Sequence, residues 1–215
     1  MPRRAVLSDE QRMALLALPD DETTLVQHWT LSEDDLAIIV RRRRPHNRLG
    51  FAIQLCALRY PGRLLRPGEL IPDTPLAFVA EQLQIAPEVL ADYATRGPTR
   101  YEQLDALREG FGFTQFSRPL RAALQEWLLP IGLTTTSGAG LARSLLGECR
   151  RRRIIVPGIS SVERMVAQAL LDAERHVVGK GNLLCRRLEK EVEGVDDRHL
   201  GDQVDLDAQF AGLVR

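Results

Sequence analysis

Helix start and stop signals recur along most of this 215-residue chain, and they constrain its fold more than any other feature. Ser8 and Gln11 have the spacing of a capping box, Pro19 ends the pattern that follows them, and Pro45 ends the next strong pattern. No segment shows the sustained two-residue alternation that is typical of strands. The sequence therefore predicts an all-α fold, a multi-helix bundle of nine or ten helices.

Two pairs of helices are predicted to be joined by short turns. In the first pair, Ser32 caps a helix over residues 33–44 and Asn47 caps a helix over 48–60. In the second pair, a helix over residues 137–153 is followed by a turn and by a helix over 161–177. Ser160 and Glu163 form the predicted capping box of that last helix.

The chain is predicted to divide into residues 1–95 and 96–177, although connectors within one continuous bundle would look much the same. Residues 178–215 differ in character, because they are acidic and lose the helical periodicity. We expect this atypical tail to be poorly ordered or only partly helical.

Arginine clusters stand out against a net charge of zero. Residues 36–68 hold eight arginines and no acid, residues 150–153 are four consecutive arginines, and the acidic tail cancels this excess. Arginine suits forked contacts with phosphates and base edges. A high genomic G+C content would also raise the arginine count without any function. The positions of the arginines therefore have to distinguish a nucleic-acid partner from a composition effect.

The first candidate site lies between the helices of the first pair. Here Arg41, Arg42, Asn47 and Arg48 are candidate DNA contacts, with Arg41 and Arg42 directed at phosphates. The alternative is that acids at 33–35 and arginines at 41–44 only complement the dipole of one helix. The helix over 48–60 has two opposite apolar arcs, which predicts that it is sandwiched inside the bundle.

The second candidate site lies on the second helix pair. Arginine and glutamine on an exposed face near a helix N-terminus are the side chains that read guanine and adenine edges. The alternative is an ordinary solvated face of an amphipathic helix. The candidate residues of this site are Arg143, Arg150, Ser160, Ser161, Arg164 and Gln168.

Enzymatic motifs are missing from the sequence. The four histidines and three cysteines have no metal-ligand spacing, and no phosphate-binding loop, dinucleotide fingerprint or nucleophile elbow occurs. We expect no catalytic residue, metal, cofactor or small-molecule substrate. The sequence has no signal-peptide pattern and no apolar run long enough to span a membrane, which predicts a cytoplasmic protein without membrane contact.

Particular strings resemble the N-terminal region of the replicative transposases of the Tn-three family. The most specific is NRLGFAIQLCALRYPGR at 47–63, and RRRRIIVPGISSVER at 150–164 supports it independently. The likeness covers about residues 1–177. It implies two helical DNA-binding domains that recognise the terminal inverted repeats of a transposon, with helix-turn-helix-like pairs. In that family a downstream RNase H-like domain with a DDE triad and magnesium cuts and joins the strands.

The resemblance implies double-stranded DNA as the partner and a nucleoid-associated location. The chain ends before such a catalytic domain, and its last residues do not resemble the family's continuation, so we expect a truncated transposase without catalytic activity. Two alternatives stay open. The chain could be a regulatory fragment that binds full-length transposase or itself and blocks assembly on DNA, or it could be an inert remnant.

Overall fold

The computed structural model describes residues 6–93 and 97–196, with side chains for 6–93 and 102–179. Across these residues the only β-type pairing is an isolated bridge between Thr114 and Ile154, so the all-α prediction is confirmed. The described helices are α1 (Asp9–Leu16), α2 (Glu22–Trp29), α3 (Glu33–Ile39), α4 (Pro45–Arg59), α5 (Asp73–Leu83), a 3₁₀ helix (Pro87–Asp92), α6 (Gly97–Phe111), α7 (Arg118–Gly132), α8 (Gly138–Arg151) and α9 (Ile159–Asp196).

Serine caps start several helices where the sequence predicts them. The Ser8 hydroxyl accepts a hydrogen bond from the Gln11 amide, and the Gln11 side chain accepts one from the Ser8 amide, which confirms the capping box of α1. Ser32 caps α3 through a box with Asp35, and Ser137 accepts from an amide in the first turn of α8. These caps satisfy amides that have no partner within the helix.

The boundary between α3 and α4 differs from the prediction. α3 ends at Ile39 rather than at residue 44, and α4 begins at Pro45 rather than at residue 48. Proline has a helical φ and no N–H, so it is favoured at the first helical position and pushes Arg44 into an extended conformation. The prediction that Asn47 caps this helix is therefore wrong, because Asn47 is its third residue.

The start of α9 also differs. The helix begins at Ile159, and the Gly158 carbonyl accepts from the Ser161 amide at 2.8 Å, so Ser160 lies inside the first turn and is not a cap. Glu163 instead accepts a hydrogen bond from Arg12 at 2.6 Å. The helix continues to Asp196, beyond residue 177 where we expected it to end. Residues 197–215 of the expected tail lie outside the described residues.

α4 is the centre of the first hydrophobic core. Every residue from Leu49 to Leu58 is buried, which confirms that this helix is sandwiched. Gly50 allows a close approach, because a Cβ atom at this position would lie 2.2 Å from the ring of Tyr93. Trp29 of α2, Val79 of α5 and Leu107 of α6 belong to the same core.

A second hydrophobic core forms around α8. It contains Leu7, which precedes α1, together with Leu124 and Leu128 of α7 and Val162 of the first turn of α9. Leu7 thus packs with elements far along the chain. The division into residues 1–95 and 96–177 stays a prediction, and part of the boundary expected at 94–98 lies outside the described residues.

One turn connects the elements of the two cores. Residues 60–63, here called the YPGR turn, follow α4, and the Trp29 indole donates a hydrogen bond to the Tyr60 carbonyl at 2.9 Å. The Gly62 carbonyl accepts from the Val156 amide at 2.8 Å, and the Arg63 guanidinium donates to the Leu16 carbonyl at 2.7 Å. The turn therefore has hydrogen-bonded neighbours both before and after it in the chain.

Internal packing separates residues 1–171 from a second unit that starts at Asp172. The described part of the second unit is the continuation of α9 to Asp196. Among the described helices, none is long and apolar enough to cross a membrane.

Candidate nucleic-acid interface

The connection between α3 and α4 exposes three arginine side chains. Arg41, Arg43 and Arg44 are exposed, and in the described part of the chain none of them forms a salt bridge. Because α3 ends at Ile39, these arginines belong to a short connection and not to one helical face. Three such guanidinium groups are free to contact phosphates.

Arg42 differs from its neighbours because it holds the connection in place. Its guanidinium lies over the Phe51 ring, 4.4 Å from the ring centroid, and its backbone carbonyl accepts a hydrogen bond from Arg48 Nε at 2.7 Å. The Arg42 Nε is buried without a hydrogen-bond partner among the described residues. Arg42 and Arg48 therefore both help to fix the backbone that carries the exposed arginines, and Asn47 lies half-buried beside them.

The arginines at 150–153 are all engaged within the protein. Arg151 and Arg152 donate to the buried Glu148 at 2.6–2.7 Å, and the Arg151 hydrogen bonds, followed by those of Arg152, hold the pKa of Glu148 at about 2. Arg153 has a left-handed φ of 53° and donates to the Phe111 carbonyl at 2.8 Å. This run of arginines is thus partly neutralised and held locally.

Arg150 contacts the YPGR turn. Its guanidinium lies 5.0 Å from the centroid of the Tyr60 ring and donates to the Pro61 carbonyl at 3.3 Å. Burial lowers the pKa of Arg150. The predicted contact residue Arg150 therefore lies between α8 and the YPGR turn. Arg143 of α8 is exposed next to it, and both arginines line a cavity of about 230 Å³.

The remaining predicted residues lie together in the first turns of α9. Arg164 is exposed and donates to the Ser160 carbonyl and the Ser161 hydroxyl, both at 3.2 Å. Gln168 is half-buried one turn later. The two hydrogen bonds direct the Arg164 guanidinium toward the N-terminal end of the helix, where recognition helices place their base-contacting side chains.

The candidates predicted from the sequence do not include two exposed arginines of this connection, Arg43 and Arg44. The predicted helix over 33–44 includes both, whereas in the structure they follow the end of α3. Pro45 provides the signal that could have found them, since the residue before a proline is disfavoured in a helix.

Three transposases are similar in sequence to this chain over most of its length. The transposase for transposon Tn21 of Escherichia coli is 41% identical over 177 residues, which are 82% of this chain and 18% of the relative. The transposase for Tn2501 of Escherichia coli is 34% identical over 215 residues, which are 100% of this chain and 21% of the relative. The transposase for Tn1546 of Enterococcus faecium is 32% identical, over 89% of this chain and 20% of the relative.

The all-α fold and these similarities define a helical region homologous to the N-terminal portion of Tn-three family transposases. The chain belongs to the family described as "Domain of unknown function (DUF4158)", whose family model matches residues 6–169. It spans about a fifth of the length of the curated relatives it matches.

Proposed function

We propose that this chain binds the terminal inverted repeats of a transposon as the DNA-recognition region of a transposase. The observation that carries the proposal is the connection between α3 and α4, where Arg41, Arg43 and Arg44 are exposed and form no salt bridge in the described structure. The homology to transposases supports DNA as the partner of this basic surface. Binding to DNA would place the protein at the nucleoid.

Phosphate contacts and base contacts come from different surfaces in this proposal. The exposed arginines at 41, 43 and 44 neutralise backbone phosphates, and Arg42 and Arg48 keep their connection rigid. Arg164 and Gln168 read base edges in the major groove, with Ser160 and Ser161 orienting Arg164. Arg143 and Arg150 supply further phosphate contacts next to α8, and the predicted domains 1–95 and 96–177 each contribute one surface.

The proposal assigns no strand-cutting chemistry to these residues. The described residues contain no group of three or more histidine, cysteine, aspartate or glutamate side chains placed to hold a metal ion. Burial raises the pKa of the Cys56 thiol to about 12 and that of the Cys149 thiol to about 11, which makes both poor nucleophiles. Strand cutting would belong to other parts of a transposase.

The deciding experiment is a fluorescence-anisotropy titration against the terminal inverted repeat of the element and against a scrambled duplex, at two salt concentrations. We expect a preference for the repeat that persists at the higher salt concentration, because base contacts are less sensitive to salt than phosphate contacts. Equal binding to both duplexes that disappears with salt would contradict the proposal.

A second candidate function is association with full-length transposase or with a second copy of this chain. Val177 and Val178, both on α9, leave about 60% of their surface exposed, so they offer apolar surface to a partner. If they form a helix-to-helix contact, the Val177→Glu, Val178→Glu double variant should elute as a smaller species than the wild-type chain in size-exclusion chromatography with light scattering. Identical masses would remove self-association through these valines, and a pull-down of full-length transposase by both chains in equal amounts would remove the other form of this candidate.

A further inference from the structure

A small cavity collects three arginines from separate elements of the fold. It has a volume of about 190 Å³ and lies between the end of α4, the end of α6 and the end of α8. Its lining consists of Leu58, Arg59, Phe111, Phe113, Arg150 and Arg153. The wall therefore contains three cations and three apolar side chains, and no carboxylate.

Each of the three guanidinium groups is held by a hydrogen bond within the protein. Arg59 donates to Asp35 at 2.6 Å, Arg150 donates to the Pro61 carbonyl, and Arg153 donates to the Phe111 carbonyl. These bonds use only part of the five N–H donors of each guanidinium. The groups are thus fixed in position while further donors are left for a ligand.

The charge around the cavity is incompletely compensated. Asp35 forms a salt bridge with Arg59, but in the described residues no carboxylate lies within salt-bridge distance of Arg150 or Arg153. Arg150 is also half-buried, so its charge has lost part of its hydration. A buried cation without a carboxylate partner is stabilised when an anion binds next to it.

We propose that this cavity binds a phosphate group through Arg59, Arg150 and Arg153. Its volume is below the about 300–1,000 Å³ that is typical for organic ligands, so it suits a small oxyanion. Arginine forks match the oxygens of phosphate, and the apolar walls of Leu58, Phe111 and Phe113 strengthen the attraction by excluding water. The phosphate can be a free ion or a phosphodiester of bound DNA, and the free-ion arm of the test does not depend on the proposed function.

Titration of the full chain with inorganic phosphate, at constant ionic strength maintained with chloride, tests the proposal. We expect a saturable rise in the thermal unfolding temperature of the wild-type protein. Arg153→Asn, whose new side chain tolerates the left-handed backbone, should weaken phosphate binding by about tenfold or more. Arg118→Gln removes the same charge from an exposed site on α7 that does not line the cavity and is the matched control, for which unchanged binding is expected.

Nitrogen-15 NMR of the arginine side chains needs no variant and covers the case in which Arg153→Asn fails to fold. Added phosphate should shift the Nε–H signals of Arg59, Arg150 and Arg153 and leave those of the exposed Arg66 and Arg118 in place. Competition by a random duplex would identify a DNA phosphodiester as the ligand, and lack of competition would identify the free ion. An unsaturable response, or equal shifts at all five arginines, would overturn the proposal.

Discussion

The guanidinium of Arg150 lies 5.0 Å from the centroid of the Tyr60 ring and joins the end of α8 to the YPGR turn. The two residues come from NRLGFAIQLCALRYPGR and RRRRIIVPGISSVER, the two most family-specific strings of the sequence. The Gly62 carbonyl, which accepts from the Val156 amide, adds a backbone bond between the same strings. The two strings that carry the family resemblance are therefore in direct contact in the fold.

The contact between Arg150 and Tyr60 should contribute measurably to stability. A double-mutant cycle with Tyr60→Leu and Arg150→Met should give a coupling energy of about 0.5–2 kcal/mol in urea unfolding, the range of cation–π pairs from exposed to desolvated sites. Tyr60→Phe keeps the ring and serves as the control, with stability close to that of wild type. A coupling energy indistinguishable from zero would show that the contact is incidental.

Glu148 should make stability fall in acid. Hydrogen bonds from Arg151 and Arg152 lower its pKa in the folded chain to about 2, whereas an unfolded chain has a value of about 4.3. The stabilisation is therefore complete above about pH 4.3 and is lost as the pH falls toward 2. Glu148→Gln should have a lower free energy of unfolding at pH 7 and a smaller loss across this window in urea unfolding.

Glu126→Gln is the control for this pH dependence. Glu126 is exposed and, in the described part of the chain, has no salt bridge, so its variant should follow the wild-type curve. Parallel curves for Glu148→Gln and wild type would contradict the assignment.

The exposed arginines between α3 and α4 should set the salt dependence of DNA binding. Arg43→Ala combined with Arg44→Ala should weaken binding to all duplexes and reduce the slope of log affinity against log salt concentration by about 0.9 for each lost phosphate contact. Anisotropy titrations over a salt series measure this slope. Arg118→Ala removes an exposed arginine of α7 as the matched control, and an equal change in both variants would refute a specific role for the connection.

Arg164 and Gln168 should set sequence preference. Arg164→Ala or Gln168→Ala should reduce the discrimination between the terminal repeat and a scrambled duplex by about 1–3 kcal/mol, because each removes a base contact. Competition binding with the two duplexes measures this difference. If both duplexes lost affinity equally, as expected for Arg43→Ala, the base-reading role would be wrong.

Gly62 should not accept a side chain. Its φ is 106°, and a Cβ atom there would lie 3.0 Å from side-chain atoms of Arg150 and of Val156. Gly62→Ala should therefore destabilise the protein by about 1–3 kcal/mol in urea unfolding. Gly68 also has a positive φ, 71°, but open space around it. Gly68→Ala should therefore lower the free energy of unfolding by less than Gly62→Ala does, and the difference measures the crowding at Gly62. Equal costs would show that the contacts of Gly62 are unimportant.

Local chemistry explains what the sequence predicted well. The caps at Ser8 and Ser32 depend on side chains and amides three residues apart, so a short window contains all the necessary information. The burial of α4 was equally predictable, because its apolar residues occupy two opposite arcs of one helix.

Competing local signals and tertiary contacts explain what was missed. At Pro45 the same residue could end one helix or begin the next, and the choice of an ending displaced both Asn47 and the arginines from their observed positions. The partners of Arg150 lie 89 and 90 residues away in the chain, so helical spacing could not reveal them. Glu163 has a similarly distant partner in Arg12.

The YPGR turn is hydrogen-bonded to residues both earlier and later in the sequence. This arrangement affects the spacing of the sites on any duplex that binds at both Arg44 and Arg164. Hydrogen bonds at Tyr60, Gly62 and Arg63 join the end of α4, a helix that starts beside Arg44, to α2, to the end of α1 and to the segment before α9. We therefore expect the separation of the two arginines to vary little. Each added base pair moves the next contact by about 3.4 Å and rotates it by about 35° around the DNA axis. The interval between the two contacted segments would then be counted in whole base pairs, and a single insertion would turn one contact by about 35° away from its arginine, while about five would carry it to the opposite side of the duplex.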